Sequence, residues 1–388
     1  MPVINRFADL HAEIAEWRRD FHAHPELLYD VHRTAARVAE LLRSFGVDEV
    51  TEGIGRTGVV GVIRGRGTGK RTIGLRADMD ALPIRETTGK PYASTVDGKM
   101  HACGHDGHTA MLLGAAKYLA ETRKFSGTVV LIFQPAEEGG AGGRAMLEDG
   151  LMDRFGIEEV YGLHNFPQLP SGSFGIRTGS QLAATDEFAI DIEGVGGHAA
   201  QPHRGVDAVL VAAQVTVALQ SITSRNIDPL QPAVVSVTTI HAGEAYNVIP
   251  RTARLTGTVR SLDEKVRAQL EKRIRELVTG LATAFGARAT IEWRRGYPVT
   301  VNAARQTEFA AEIARRVAGP DKVDTNTPAT MGGEDFAYLA QARPGAFIFL
   351  GQGGTAQLHQ DSYDFNDEII PIGCSYWATL VETAMPLK

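Results

Sequence analysis

The stretch Met100-His101-Ala102-Cys103-Gly104-His105-Asp106-Gly107-His108 is the part of the chain around which the fold is organised. It places one thiol and three imidazoles within eight positions, at the foot of a predicted helix over 110–119. Packing does not explain such a density of Cys and His side chains, which are the side chains that zinc-like metals bind. The stretch therefore predicts a metal site at the start of a helix.

Outward from this stretch, several predicted strands end in polar side chains. The acids Asp78 and Asp80 follow one strand, the pair Glu137-Glu138 follows the apolar run 128–133, and His164 follows the strand 160–163. In open α/β sheets, sites assemble at the carboxyl ends of the strands. The alternation of these strands with helices predicts a layered α/β domain.

The composition excludes several classes of protein. The chain has 388 residues, 43% of them hydrophobic and 22% charged, with a net charge of −6 and no long Lys/Arg run, so we expect neither a nucleic acid nor a membrane partner. Its two cysteines, Cys103 and Cys374, imply no disulfide framework. We expect a cytoplasmic protein with a small-molecule partner.

The middle of the chain has a different pattern. From about Asp186 the predicted elements run strand, helix, strand, strand, helix, strand, which is the βαββαβ order of a ferredoxin-like unit. We therefore predict a first part of an outer domain over 1–184, an inserted domain over 185–294 and a second part of the outer domain over 295–388.

A glycine-rich joint at 65–70 lies between predicted strands at 58–64 and 72–77. It lacks the spacing of a phosphate-binding loop, and a strand follows it instead of a helix. The sequence predicts a hairpin turn at this joint.

Metal-ligand side chains occur in several separate segments. Five candidates stand out: Cys103, His105, Glu138, His164 and His359. Five ligands are too many for one open tetrahedral site and suit two neighbouring metals that share a ligand. Glu137 would then be free to take a proton from water, provided that the Glu137-Glu138 pair lies on the loop after its strand, because adjacent residues in a strand point in opposite directions.

These segments together resemble the M20 metallopeptidase family, and most closely its N-acyl-amino-acid amidohydrolases, which include hippurate hydrolases, aminoacylases and auxin-conjugate hydrolases. The similar motifs are Arg76-Ala77-Asp78-Met79-Asp80-Ala81-Leu82-Pro83, the 100–108 stretch, Gln134-Pro135-Ala136-Glu137-Glu138, Gly162-Leu163-His164, Gly197-His198-Ala199-Ala200-Gln201-Pro202-His203, Asn247-Val248-Ile249-Pro250 and Gly333-Glu334-Asp335-Phe336.

The resemblance implies a metal-dependent hydrolase that cleaves the amide bond of N-acyl amino acids with metal-activated water. It implies a catalytic domain interrupted by a lid domain that forms a homodimer, which could pair further into a tetramer. The implied metal ligands are Cys103, His105, Glu138, His164 and His359. The implied catalytic residues are Glu137 as general base and His198, from the lid, as the group that polarises the carbonyl. Asn247 and Arg260 are implied to bind substrate, and Asp78 and Asp106 to orient other groups.

The chain departs from most of the wider family at one position. Arg76 stands where most members carry a metal-binding His, and the subgroup uses Cys103 and His105 instead, which leaves the role of Asp78 open. A thiolate ligand favours zinc among the two divalent ions per subunit, while manganese, cobalt or nickel could also support turnover.

Three alternatives remain at this point. The protein could be a dipeptidase or carboxypeptidase of the same family, or a non-catalytic metal- or peptide-binding member of the fold. Cys103 could also act as a nucleophile activated by His105 or His108.

Overall fold

A computed structural model describes residues 4–354 and 356–387. The chain forms two compact units, one of residues 1–179, 301–328 and 335–388 and the other of residues 180–300 and 329–334. Both units combine helices with sheet, so the predicted α/β class is confirmed. The predicted domain limits at 184 and 294 stay a prediction.

The first unit is built on a mixed eight-stranded sheet. Its strands lie in the order Glu49–Ile54, Gly58–Arg64, Ser126–Gln134, Gly67–Asp78, Glu159–Phe166, Gly345–Gly351, Phe174–Gly175 and Val323–Asp324. The third to sixth strands in this order are mutually parallel. Their carboxyl ends therefore meet at one edge of the sheet, where sites form in α/β folds.

Helices surround this sheet. They span Asn5–Ala23, His32–Ser44, His105–Thr122, Gly142–Glu148, Leu151–Arg154, Ala304–Ala318, Phe336–Ala342 and Ile370–Ala384. The helix His105–Thr122 is buried on nearly every side, as expected for a helix without a polar face. Gly114 permits this burial, because a Cβ there would lie 2.6 Å from Ile14 and 2.7 Å from Cys374. The predicted metal stretch is thus fixed to the core of the unit.

The predicted hairpin at 65–70 is wrong. Gly58–Arg64 and Gly67–Asp78 are not neighbours, since Ser126–Gln134 lies between them and pairs with both. The glycines allow two backbone segments to pass close to each other and do not form a hairpin turn. A Cβ on Gly65 would lie 2.0 Å from the carbonyl oxygen of Phe125, so the joint passes directly over the start of the intervening strand.

The second unit has the predicted βαββαβ order. Its antiparallel sheet runs Ala233–Ala242, Thr252–Ser261, Ala184–Glu193 and Arg288–Arg295. Two helices, Ala208–Arg225 and Glu264–Ala284, pack against the sheet and close an apolar core. Each helix begins after an aspartate, Asp207 or Asp263, whose carboxylate accepts two backbone N–H groups of the first turn.

Short elements complete the chain. They are the strands Gly179–Leu182, Gly197–His198, Val248–Ile249 and Thr300–Asn302 and the 3-10 helices Pro202–Arg204, Pro320–Lys322 and Asp367–Ile369. The helix Ala208–Arg225 is long and apolar enough to cross a membrane by length and composition alone. One face of it, with Val211, Val215 and Leu219, is buried in the core of the second unit.

Candidate metal centre

The five predicted ligands lie on four segments at the carboxyl edge of the large sheet. Cys103 and His105 flank Gly104, whose φ of 91° turns the chain into the helix that starts at His105. Glu138 lies beyond the end of Ser126–Gln134, and His164 lies in Glu159–Phe166. His359 follows the strand Gly345–Gly351 and has a φ of 66°. Such a backbone conformation is uncommon for a non-glycine residue and is typical of functional sites.

The structure brings these five side chains into one cluster. The Cys103 Sγ lies 3.4 Å from the His164 Nε2. The Glu138 Oε1 lies 3.4 Å from the His359 Nε2 and 3.9 Å from the His105 Nε2. Ligand atoms of Cys103, Glu138 and His359 all lie within 4.8 Å of one another. Glu138 is thus central to the cluster, with ligands on both sides.

The donor set fits a divalent metal. Both ring nitrogens of His105 and the Oε1 of Glu138 are buried and make no hydrogen bond with any residue that the structure describes. Buried polar atoms of this kind are costly unless something binds them. Thiolate, imidazole and carboxylate together are the ligands of zinc-like ions, so a metal would account for the Glu138 Oε1 and for one of the two His105 nitrogens.

A backbone hydrogen bond orients the imidazole of His164. Its Nδ1 donates to the carbonyl oxygen of Asn165 at 2.6 Å, which leaves the Nε2 as the nitrogen that faces Cys103. Metal-binding histidines are commonly held in this way through the second ring nitrogen. Asn165 also donates from its side chain to the carbonyl oxygen of Cys103 at 2.6 Å, so one residue positions two of the predicted ligands.

His108, the third histidine of the stretch, has no nitrogen left for a metal. Its Nε2 accepts the backbone N–H of Asn165 at 2.9 Å. Its Nδ1 therefore carries the proton and donates to the Asp78 Oδ1 at 2.6 Å. His108, Asp78, His105 and His164 form a group with metal-like spacing, but these hydrogen bonds assign His108 a structural role.

Asp78 is held by a buried arginine. The Arg76 guanidinium donates to Asp78 at 2.7 Å, to Asp335 at 2.9 Å and to the Gln134 side chain at 3.0 Å. Burial opposes the charged form of Asp78, but His105 and Arg76 hold the pKa of this carboxyl well below its ordinary value. The carboxylate lies 3.7 Å from the His105 Nε2, close to the cluster, and its orienting role stays a prediction.

Asp106 contacts a different histidine from the predicted ligands. Its Oδ2 lies 2.8 Å from the Nδ1 of His22 and 3.7 Å from the buried Arg18 guanidinium. Burial alone would lower the pKa of His22, but its hydrogen bonds to Asp106 and Glu86 raise it to about 9. Asp106 thus anchors the first turn of the helix to a buried cationic pair instead of orienting a ligand imidazole.

The charges of the cluster are balanced by protons when no metal is bound. Burial and the nearby Glu138 and Glu137 carboxylates raise the pKa of the Cys103 thiol well above its ordinary value. Burial would lower the pKa of His105, but Asp78, Asp80 and Glu138 raise it to about 10. A protonated thiol is a poor nucleophile, which weighs against the alternative in which Cys103 attacks the substrate.

Glu137 lies beside the cluster. It is 6% exposed, and one of its carboxylate oxygens lies within 4.8 Å of ligand atoms of His105 and Glu138. Glu137 and Glu138 follow Ala136, whose φ is 54°, and both lie beyond the strand Ser126–Gln134. The turn lets both adjacent carboxylates approach the cluster, which a regular strand would not allow.

The other predicted residues belong to the second unit. His198 lies opposite Val248 in a two-stranded ribbon, and Asn247 accepts the Ala199 N–H at 3.0 Å through its backbone carbonyl. His198 is exposed, and its Nδ1 accepts the Ala200 N–H at 3.1 Å. Its Nε2 therefore carries the proton in the neutral ring and is available as a donor.

Arg260 lies on another strand of the second unit, Thr252–Ser261, and is partly buried. Burial lowers its pKa from the ordinary value. Its guanidinium donates to the Val259 carbonyl oxygen at 3.0 Å and to the Thr258 hydroxyl.

Sequence reasoning assigned no role to two residues of the site, Asp80 and Asn165. The Asp80 carboxylate accepts the backbone N–H groups of Glu137 at 2.8 Å and Glu138 at 3.1 Å. Asp80 stands in the quoted 76–83 motif as the second of two acids, which was the available signal. Asn165 follows His164 directly, but nothing in the sequence shows that its side chain reaches back to Cys103.

Comparisons with known proteins agree with this geometry. The sequence profile of peptidase family M20/M25/M40 matches residues 74–383. The chain is 42% identical to hippurate hydrolase of Campylobacter jejuni, over 98% of both chains. It is 39% identical to N-acetylcysteine deacetylase of Bacillus subtilis, over 95% of this chain and 96% of the relative.

A solved structure has the same fold. The Bacillus subtilis YXEP protein, described as a dinuclear metal-binding peptidase of the M20 family, superposes with a TM-score of 0.85 at 35% identity, over 97% of this chain and 99% of its own. The predicted family is therefore confirmed. The chain belongs to peptidase family M20/M25/M40, within its subgroup of N-acyl-amino-acid amidohydrolases.

Proposed function

We propose that the protein is a metal-dependent amidohydrolase that cleaves N-acyl amino acids into a carboxylic acid and a free amino acid. The observation that carries this proposal is the cluster of Cys103, His105, Glu138, His164 and His359 with the buried Glu137 beside it. Relatives with about 40% identity over nearly the whole chain are named for the hydrolysis of such amides. The similarity supports the reaction class, and the cluster supports its dependence on metal.

The five side chains would hold two divalent ions. Cys103 lies beside His164, and Glu138 lies between His105 and His359. When bound, such ions lower the pKa of water and polarise the amide carbonyl. Zinc is our first choice because of the thiolate, with manganese, cobalt and nickel as the other candidates.

Glu137 is the proposed general base. Its carboxylate is close enough to His105 and Glu138 to accept a proton from water held among these side chains. The same carboxyl group can then donate that proton to the nitrogen of the leaving amino acid. Glu137 thus moves one proton from the attacking water to the leaving group and ends the cycle ionised.

His198, Asn247 and Arg260 are the proposed substrate-binding groups of the second unit. The protonated Nε2 of His198 can donate to the developing oxyanion, and loss of one such donor costs about a hundred- to thousandfold in rate. Asn247 and Arg260 can bind the carboxylate of the amino acid, for which a guanidinium is well suited. In this proposal the second unit acts as a lid.

The first test is amine release from a panel of hippurate, N-acetylcysteine, N-acetylmethionine and unblocked dipeptides. Metal-stripped protein is assayed with and without zinc, manganese, cobalt and nickel. We expect hydrolysis of the N-acyl amino acids only after metal is restored. Activity that survives complete removal of metal would contradict the proposal.

Two variants separate the proposed roles of the adjacent glutamates. Glu137→Gln should lower kcat by about a hundred- to ten-thousandfold, the usual contribution of a general base, and retain both metal equivalents. Glu138→Gln should lower metal content as well as kcat. Equal metal loss in both variants would refute the assignment of Glu137 as base.

A second candidate is a dipeptidase or carboxypeptidase, because the matching family model is that of a peptidase family. Both reactions cleave an amide next to a residue with a free carboxylate. Preference for unblocked dipeptides over hippurate in the panel would favour this candidate. A folded protein that binds metal but cleaves no member of the panel would favour a binding role.

We also propose that the second unit forms a homodimer. The strand Ala233–Ala242 is an outer strand of its sheet and carries no Lys, Arg, Asp or Glu, whereas the opposite edge, Arg288–Arg295, is rich in charge. Charged residues usually protect exposed edges from pairing. Ile240 on the uncharged edge strand is 50% exposed, and Val217 on the helix Ala208–Arg225 is 71% exposed.

Light scattering after size-exclusion chromatography tests this assembly. Ile240→Lys combined with Val217→Asp should convert the dimer to monomer, while Thr290→Lys on the charged edge should not. A monomeric wild-type protein would refute the proposal, and a tetramer would indicate a further interface.

Because both cysteines are free and buried, a reducing compartment is suitable, and we propose the cytoplasm.

A further inference from the structure

Leu28 has a backbone conformation that leucine seldom adopts. Its φ of 50° lies in the left-handed region, which is uncommon for residues with a Cβ and is readily adopted by glycine. Leu28 is also 41% exposed, so the strained backbone leaves much of its apolar side chain in contact with water. The position thus combines two unfavourable features, backbone strain and an exposed large hydrophobic side chain.

Hydrogen bonds tie the segment around Leu28 to the edge of the sheet where the metal cluster lies. The Glu26 carbonyl oxygen accepts the Ala81 N–H at 2.8 Å, and the Leu28 carbonyl oxygen accepts the Ala136 N–H at 3.1 Å. Ala136 directly precedes the proposed base, Glu137. The segment is therefore bonded to the chain just beyond two neighbouring strands of the large sheet.

Tyr29 contacts the other end of the turn 136–140, which carries the two glutamates. Its hydroxyl donates to the Gly140 carbonyl oxygen at 2.7 Å, and a Cβ on Gly140 would lie 3.2 Å from the tyrosine ring. The Tyr29 carbonyl oxygen accepts the Thr57 hydroxyl at 2.9 Å. Leu28 and Tyr29 thus hold both ends of this turn, and the Leu28 side chain lies at its edge.

The leucine side chain is not needed for this attachment. The hydrogen bond from Ala136 to Leu28 joins two backbone groups, so glycine could make the same bond and would relieve the strain. What leucine adds is an apolar surface at the edge of the turn. Scattered exposed hydrophobic residues need no explanation, but strained residues cluster at active sites and at segments that clamp ligands.

We propose that Leu28 is a specificity-determining residue whose side chain contacts the acyl group of the substrate. Sites for small molecules are lined mainly by apolar side chains around a few polar groups, and the metal cluster supplies the polar groups. This assignment rests on the proposed amidohydrolase function, in which Asn247 and Arg260 bind the carboxylate of the amino acid. The acyl group is then the apolar part of the substrate that is left for the first unit.

The test compares substrates that share glycine and differ in the acyl group, hippurate and N-acetylglycine. Leu28→Ala should lower kcat/KM for hippurate about tenfold or more, because a single methylene in an apolar pocket is worth about 10- to 200-fold. The value for N-acetylglycine, which has only a methyl group to contact, should fall by less than about threefold. Leu28→Met keeps the volume of the side chain and should keep most of the preference for hippurate.

N-acetylmethionine reports on the other half of the substrate. Its acyl group is that of N-acetylglycine, but its amino acid is large and apolar. Leu28→Ala should therefore change kcat/KM for N-acetylmethionine as little as for N-acetylglycine. A greater loss with N-acetylmethionine than with hippurate would place Leu28 against the amino acid and would overturn the proposal.

Leu28→Gly tests the backbone strain on which the inference depends. Glycine in a regular conformation is less stabilising than alanine, but it adopts the left-handed region without strain. The Tm of Leu28→Gly should therefore be at least that of Leu28→Ala, while both variants lose the preference for hippurate. A Tm clearly below that of Leu28→Ala would show that the left-handed conformation does not hold in solution and would overturn the proposal.

Leu387→Ala is the matched control. Leu387 is 45% exposed, close to the exposure of Leu28. It lies two residues after Met385, whose carbonyl oxygen accepts the N–H of Ser126 at the start of the strand Ser126–Gln134. That end of the strand is opposite to the glutamate turn, so Leu387→Ala should leave kcat/KM for all three substrates unchanged.

Calorimetric binding of benzoate to the metal-loaded protein tests the contact without turnover. Benzoate is the acid released from hippurate, and its affinity should fall about tenfold or more in Leu28→Ala, while that of acetate should not. A wild-type protein that cleaves no N-acyl amino acid would refute the proposed function, and the benzoate affinities would then decide the role of Leu28. Wild-type protein that binds benzoate no more tightly than Leu28→Ala does would overturn this proposal.

Discussion

Replacement of Arg76 by Met should be strongly destabilising, in a manner that depends on pH. Arg76 is 1% exposed and lies between two fully buried carboxylates, Asp78 and Asp335, at 2.7 Å and 2.9 Å. Methionine has a similar length but no charge, so the substitution removes the guanidinium from both acids, and Asp78 keeps only its histidine neighbours. Removal of one partner of a buried ion pair typically costs about 3–5 kcal/mol.

The pH dependence follows from the carboxyl groups that remain. Burial already raises the pKa of Asp335 to about 6, against the opposing effect of Arg76. Without the guanidinium its pKa must rise further. A carboxyl whose folded pKa exceeds its unfolded pKa destabilises the protein fully above the folded pKa. The penalty declines as the pH falls below the folded pKa and disappears below the unfolded pKa. The penalty in Arg76→Met should therefore be largest near pH 8 and smaller at pH 5.

Urea unfolding followed by tryptophan fluorescence measures this effect, because Trp17 and Trp377 are both buried in the first unit. The control is Arg144→Met, which breaks an exposed pair with Glu148 in which both side chains are at least 60% exposed. Such surface pairs contribute about 0–1 kcal/mol. A cost below about 1 kcal/mol for Arg76→Met, or a cost that is the same at pH 5 and pH 8, would refute the reasoning.

Three other predictions concern the surroundings of the site. The pKa of His22 is raised to about 9 in the fold, which makes the wild type more stable than His22→Gln by about 3 kcal/mol. In urea titrations this difference should be complete below pH 6.5 and should vanish as the pH rises through 9. Gly104→Ala should cost about 2–5 kcal/mol in thermal or urea unfolding, because its Cβ would lie 2.2 Å from the Asn165 Nδ2, whereas Gly98→Ala has open space and only backbone strain. Zinc at a hundred times its Kd should stabilise the protein by about 2.7 kcal/mol, seen as a higher Tm by calorimetry, and this gain should shrink in Cys103→Ser.

The elements that sequence predicts best here are those with regular apolar periodicity. The sequence pattern predicts a helix over 263–285 and a strand over 253–260, and the structure has Glu264–Ala284 and Thr252–Ser261. Both bury alternate or i, i+4 positions against one core, which leaves a clear pattern in the chain. Strand order could not be predicted in this way, because the pairing of Gly58–Arg64 with Ser126–Gln134 depends on contacts between distant segments.

The site shows the same division between local and distant information. Residue type and spacing point to the five candidate ligands that the structure gathers into one cluster, since Cys, His and Glu are chemically distinctive. The roles of the other groups depend on hydrogen bonds across the fold. His108 has the same side chain as His105, and only the Asn165 N–H at its Nε2 and Asp78 at its Nδ1 show that it cannot bind a metal.

The excess of negative charge at the carboxyl edge explains why the site favours metal. Five acids of the first unit surround the cluster: Asp78, Asp80, Glu137, Glu138 and Asp335. Arg76 is the fixed cation among them, and His105 adds a charge only while it is protonated. One divalent ion that displaces a proton from His105 and a proton from Cys103 would leave the net charge unchanged, and a second ion would add positive charge. The atoms of His105 and Glu138 that make no hydrogen bond would be available as ligands. Metal binding at this edge should therefore be accompanied by release of protons, and metal affinity and the stability of the edge should rise and fall together.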